Sequence, residues 1–181
     1  SNQKTKHVQL NGVHQSENES LAIQTVKSID NFNITKEQIK NGLSSVIWPA
    51  RIQKIHNHPN VYFDVAHNSS SFLSLCNFVK SLEGPKILIL ALQKNKNIND
   101  IISNIEDIFK EIIITQTNIR NYFPSQDLSS LFNYNNKIIL NPKKAIQSYQ
   151  SFSSNSNIFI AGSHYLGPFI SREFKISFDN I

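Results

Sequence analysis

Residues 61–82 constrain the fold more than any other stretch of this chain. Val61, Tyr62 and Phe63 form a short apolar run that ends abruptly in Asp64-Val65-Ala66-His67-Asn68. Ser69, Ser70 and Ser71 follow, and then Phe72, Leu73, Leu75, Phe78, Val79 and Leu82 recur at helical spacing. The pattern predicts a strand over 61–65, a tight turn, and a helix over 70–82 whose serines can cap its first turn. In open α/β sheets, ligands collect at the carboxyl ends of strands, beside the N-termini of the helices that follow. Asp64 as a hydrogen-bond acceptor, His67 as a ligand or proton carrier, and Asn68 as both donor and acceptor are therefore candidate functional residues. Arg51, thirteen residues before Asp64, adds a guanidinium suited to phosphate or carboxylate.

The remainder alternates in the same way. Apolar runs at 52–55, 87–90, 112–114, 138–140 and 158–161 read as strands, and the unbroken run at 87–90 suits a strand buried on both faces. Between them, helical spacing marks 98–109, a short segment after Ser125, and a segment from Pro142 to Tyr149. The last strand ends in a second polar cluster, Gly162-Ser163-His164-Tyr165. This alternation predicts an α/β, three-layer Rossmann-like domain with a mostly parallel sheet. Upstream, 8–10 reads as a strand and Asn11-Gly12 as a turn. A helix follows from Gln15 with Leu21, Ala22, Thr25, Val26 and Ile29 on one face. Thr35 with Gln38 forms a capping box for a helix over 36–41, which Gly42 is placed to stop. A boundary between about 43 and 51 divides the chain into 1–46 and 47–181.

Charge and composition narrow the function classes. A net charge of +5 and a pI near 9.3 favour anionic ligands. The lysines and arginines are scattered rather than clustered, which argues against nucleic acid as the partner. The one cysteine, Cys76, forbids an internal disulfide, rules out a multi-cysteine zinc site and suits a reducing cytoplasm. No apolar run approaches the ~18 residues of a membrane span. Gly162 and Gly167 have the spacing of a phosphate loop, but Pro168-Phe169 stand where Lys and Ser or Thr are required. There is no G-x-G-x-x-G, and Ser163 sits in no nucleophile elbow that would join it to Asp64 and His67 as a hydrolase.

Four blocks carry a resemblance. Gly12-x-His14-Gln15-x-x-Asn18, Trp48-Pro49-Ala50-Arg51, Phe63-Asp64-Val65-Ala66-His67-Asn68 and Ala161-Gly162-Ser163 occur in this order. Together they resemble the bifunctional dihydrofolate synthase/folylpolyglutamate synthases, within the wider Mur-ligase-like group. The resemblance implies that 1–46 is a short helical segment from the end of a central ATPase domain and 47–181 the C-terminal domain. It implies ATP and Mg2+ as cofactors, L-glutamate and dihydropteroate or folates as partners, and a monomeric, cytoplasmic enzyme touching neither membrane nor nucleic acid. ATP would phosphorylate the substrate carboxylate, and the glutamate amine would attack the acyl phosphate. By the same resemblance Asn18 would meet the adenine edge, Arg51 the phosphates and Asp64 the nucleotide. His67 would lie on the phosphoryl and glutamate side, with Ser163 and Asn68 as weaker substrate-side contacts.

The phosphate loop and magnesium ligands of that scheme lie outside these residues, so the chain is expected to be catalytically incomplete alone. It also departs from the family pattern at Ala50, usually Gly, and at Asn95-Lys96-Asn97, usually Asp-Lys-Asp. Each candidate has a structural alternative: Arg51 as a surface strand residue, Asp64 as a helix cap, His67 as a stay for its turn, Asn18 as a cap. A cell-wall Mur-type ligase domain and a non-enzymatic nucleotide- or RNA-binding module are the rival readings.

Overall fold

The central strands show why three layers form. In β3 (Lys86–Leu90), side chains alternate between the two faces of the sheet. Ile87 and Ile89 join one buried cluster with Val61, Phe63, Ile158 and Ile160. Leu88 and Leu90 join the other with Tyr62, Ile112, Ile114 and Phe159. Both faces of the sheet therefore need a cover. The computed structural model describes residues 14–30, 32–46, 48–94, 98–133 and 136–178.

The sheet has six strands in the order β1-β2-β6-β3-β4-β5, numbered along the chain. β1 (Gln53–His56) runs antiparallel to β2 (Asn60–Asp64) at one edge. β2, β6 (Asn157–Ala161), β3, β4 (Glu111–Ile114) and β5 (Asn136–Ile138) are mutually parallel. One face is covered by α3 (Ser69–Lys80), through Phe72, Leu75 and Val79, and by α4 (Ile98–Ile105), through Ile101 and Ile105. The short α5 (Ser125–Ser129) adds Leu128. The opposite face is covered by α6 (Pro142–Gln147) through Ala145 and Ile146, and by α7 (Gly167–Phe174) through Ile170. Aromatic rings fill the first core: Tyr62 stacks on Phe159 at 5.0 Å, and Phe78 and Phe109 meet Phe159 edge-on. The expected three-layer, mostly parallel fold is the one found.

The insertion of β6 between β2 and β3 positions the site. The helix after β2 leaves on one face and the helix after β6 on the other, so a crevice opens where their carboxyl ends lie side by side. Asp64 is in register with Ala161, and Ala161 with Leu90.

Several expectations need correction. α2 (Lys36–Ser45) has the Thr35–Gln38 capping box, but it runs through Gly42 and ends only at Val46, which is extended. A mid-helix glycine costs about 0.5–1 kcal/mol, too little to end a helix with no steric reason to stop. α1 (His14–Lys27) turns its expected apolar face, including Leu21 and Ile29, away from the described residues, while Gln15 and Glu19 are buried. The cap of α3 is Asn68, with Ser71 as its reciprocal partner, rather than a serine. α4 ends at Ile105, short of the expected 109. β1 begins one residue late because Ile52 has φ +46°, and β5 lies two residues earlier than 138–140. No helix is predicted from sequence at α7; Pro168 sits in its first turn, where proline is tolerated. The expected strand 8–10, the turn at Asn11-Gly12, and Asn95-Lys96-Asn97 lie outside the described residues.

Candidate functional site

The turn that delivers Arg51 is strained. Ala50 and Ile52 both have left-handed backbone, φ +57° and +46°, which costs roughly 1–2 kcal/mol for a side-chain-bearing residue. Asp64, at the end of β2, holds this turn in place. Its Oδ2 accepts the Ile52 N–H at 2.7 Å, and its Oδ1 accepts the Ala66 N–H at 2.6 Å. The Val65 N–H donates to the Ala50 carbonyl at 3.0 Å, and the Ala50 N–H to Gln53 Oε1 at 2.9 Å. Hydrogen bonds to a charged group contribute about 1.5–3 kcal/mol each, enough to offset the strain. Arg51 is thus presented by an irregular turn, not from a strand, and Asp64 braces two turns rather than capping a helix. Burial pushes the Asp64 carboxyl above its ordinary value, against the opposing pull of the two backbone donors, Arg51 and His67.

The start of α3 is equally ordered. Asn68 Oδ1 accepts the Ser71 N–H at 2.9 Å, and Ser71 Oγ accepts the N–H groups of His67 and Asn68, each at 3.1 Å. His67 is exposed, with Nδ1 2.9 Å from the Val65 carbonyl oxygen. Because a carbonyl only accepts, Nδ1 carries the proton in this contact. His67 therefore does brace its own turn.

A cavity of about 330 Å³ opens between α1, the 48–52 turn and the first two turns of α3. Its apolar wall is Trp48, Ile52 and Leu75; its polar wall includes Asn18, Ser70 and Ser74, with Arg51 and Asp64 at the same site. Asn18 lies within α1 and caps nothing; its Nδ2 donates to Gln15 Oε1 at 3.1 Å. The Arg51 guanidinium lies 5.6 Å from the centre of the Trp48 ring. Of the six residues singled out from sequence, Asn18, Arg51, Asp64 and Asn68 share this cavity. His67 and Ser163 do not line it. Ser163 lies two residues beyond the register partner of Asp64, at the same sheet edge, buried, with Oγ accepting the Tyr165 N–H at 3.3 Å.

Sequence reasoning missed Trp48, Ser70 and Ser74 as cavity residues. Ser70 and Ser74 stand four apart, which on a helix puts them on one side, and that spacing was the available signal. A volume near 330 Å³ with one apolar wall and a few polar groups is at the lower end for small-molecule sites. Among the described residues, no group of three or more His, Cys, Asp or Glu side chains could hold a metal ion.

Comparisons with known proteins place the sequence and the fold. The dihydrofolate synthase/folylpolyglutamate synthase of Bacillus subtilis (strain 168) is 27% identical over 173 residues, covering 92% of this chain and 40% of that protein. The folylpolyglutamate synthase of Mycobacterium tuberculosis, solved with ADP and AMPPCP, superposes with a TM-score of 0.85 at 19% identity over 94% of this chain and 42% of that one. The bifunctional enzyme of Yersinia pestis, solved with AMPPNP and a Mn ion, superposes with a TM-score of 0.76 at 17% identity, over 87% of this chain and 38% of that one. The chain thus spans about 40% of the length of the relatives it matches. The family profile described as Mur ligase, glutamate ligase domain matches residues 50–164, well over half of the sequence, and the chain belongs to that family.

Proposed function

We propose that this chain forms one wall of the nucleotide site in an ATP-dependent ligase that adds L-glutamate to dihydropteroate or to folylglutamates. The cavity that gathers Asn18 from α1, Arg51 from a braced turn and Asp64 from the end of β2 carries this reading. The relatives support the substrate class: the Bacillus protein is a dihydrofolate synthase/folylpolyglutamate synthase, and the Mycobacterium one was solved with adenine nucleotides. In this reading residues 1–46 belong to a central ATP-binding domain and 47–181 to the C-terminal domain.

The reaction moves the γ-phosphoryl group of ATP to the substrate carboxylate, releasing ADP. The glutamate amine then attacks the acyl carbon, the tetrahedral adduct expels phosphate, and the amide forms. The demand on the protein is to offset negative charge on the phosphates and to keep water from the mixed anhydride. Arg51 meets the first demand with an N–H fork suited to phosphate oxygens. Asn18 reads the adenine edge with its amide. Asp64 fixes the Arg51 turn and accepts from the nucleotide with its remaining lone pairs, and His67 and Ser163 face the phosphoryl and glutamate side. The described residues do not assemble a metal site, so no step is assigned to a divalent ion held by them. Among the described residues no helix is long and apolar enough to cross a membrane; the cytoplasmic setting we infer rests on the resemblance alone.

Phosphorus NMR titration tests this reading. The 181-residue chain should bind ATP weakly, and Arg51→Ala should weaken binding further. It should hydrolyse none. ATP resonances that stay unmoved at millimolar chain and ligand would sink it, as would tight, salt-sensitive binding of nucleic acid in place of ATP.

A further inference from the structure

Among the described residues the Arg51 guanidinium makes no hydrogen bond or ion pair; it lies over the ring of Trp48 and feels the charge of Asp64 across the same cavity. Both ends of the Arg51–Trp48 contact are anchored. The Arg51 backbone is fixed by the two left-handed residues that flank it and by the Asp64 carboxylate that accepts from Ile52. Trp48 precedes Pro49, which confines its backbone to extended conformations. The indole is 56% exposed yet lines the same cavity as Arg51, so no packing demand of the core accounts for an aromatic residue here. A cation resting on an aromatic face is attracted by the ring quadrupole within about 6 Å of the centroid. A guanidinium 5.6 Å above a ring centre gives the indole none of its N–H donors as hydrogen bonds, so the fork remains available to a ligand. A free arginine would have to surrender several rotatable bonds on meeting phosphate, and one already held surrenders fewer.

We propose that Trp48 is a positioning residue for Arg51: its indole face holds the guanidinium at the cavity wall in the pose that receives phosphate oxygens. This inference rests on the nucleotide reading above. It assigns to Trp48 the polyphosphate end of the ligand and not the base.

Trp48 is the chain's one tryptophan, so its fluorescence reports the contact without any ligand. Arg51→Gln is expected to change the emission, and Arg51→Lys, which keeps a cation near the ring, to change it less. Phosphorus NMR titrations of the 181-residue chain with ATP and with inorganic tripolyphosphate read the consequence. Trp48→Ala should weaken both ligands by a similar factor, about two- to fivefold. Trp48→Phe should recover most of the loss, and Trp48→Ala should add nothing in an Arg51→Ala background. Circular dichroism checks that each variant folds, and Trp48→Phe keeps the test open should the alanine variant not. Emission unaltered by Arg51→Gln overturns the proposal. So does a loss confined to ATP, the result that adenine stacking on the indole would give. If the wild-type chain binds neither ligand, the nucleotide reading fails and the positioning role with it. If it binds both and Trp48→Ala weakens neither, the positioning role fails alone.

Discussion

Asp64 holds two backbone turns at once, and that double duty explains why an amide would serve poorly there. An asparagine offers one acceptor oxygen where the carboxylate offers two, so Asp64→Asn strands either the Ile52 or the Ala66 N–H in a buried position. An unsatisfied buried donor costs about 1–3 kcal/mol, and the chain's denaturant midpoint should fall accordingly. The pH dependence has a definite sign. Burial raises the folded-state pKa of Asp64 above the ordinary 3.8. The native chain therefore holds this proton more tightly than the unfolded one, and the group's linkage contribution to stability is fully present below 3.8. That contribution is lost as pH rises through the folded value. Denaturation of wild type and Asp64→Asn at several pH values should show the variant's deficit growing as pH falls from neutrality towards 3.8; a pH-independent deficit would contradict the raised pKa. The sequence marked Asp64 as important because it ends an apolar run before a polar turn. Its grip on Ile52 was illegible, since it depends on left-handed backbone at Ala50 and Ile52, two residue types that rarely adopt it.

Periodicity carried most of the element-level reading. Buried parallel strands are nearly all apolar and short, and the helices between them repeat their apolar residues every three or four positions, so β2, α3, β3, α4, β4 and β6 announce themselves. What periodicity does not encode is strand order. Nothing in the run at 158–161 says that it inserts between β2 and β3, and that insertion is what creates the crevice. Two glycines reflect it, one at each end of the β3–β6 pair: Gly84, with φ +85° and the Asn155 carbonyl where a Cβ would stand, and Gly162. At Gly162, with φ +103°, any Cβ would collide with the Ala91 carbonyl oxygen at the end of β3. Gly162→Ala should therefore destabilise the chain by more than about 2 kcal/mol, combining backbone strain with a clash against backbone that cannot yield. Asn68→Ala removes the α3 cap and should cost nearer ~1 kcal/mol. Chemical unfolding of the two variants should rank them in that order. The reverse order would mean that the β3–β6 contact is looser than drawn.

The cavity joins α1 (His14–Lys27), the 48–52 turn and α3 (Ser69–Lys80), three elements that are not neighbours in sequence. No local pattern unites Asn18 with Arg51 and Asp64; the resemblance between motifs grouped them, and Trp48, Ser70 and Ser74 emerged only when the chain was folded. The role of Arg51 is best decided in the ligase proposed here, in which the C-terminal domain meets a phosphate-loop domain across bound ATP. If Arg51 acts mainly as charge develops on the transferring phosphoryl group, Arg51→Ala should lower kcat about a hundredfold or more, the scale of losing ~3 kcal/mol. A guanidinium that merely grips ATP in the ground state would leave kcat alone and raise KM. Lysine keeps the charge without the fork, so Arg51→Lys should recover only part of the loss. The expected outcome is a mixture weighted towards kcat, because a wall carried on a separate domain meets the phosphates fully only when the two domains close on them. Steady-state kinetics of both variants distinguish these cases, and wild-type values of kcat and KM in Arg51→Ala would remove Arg51 from the site.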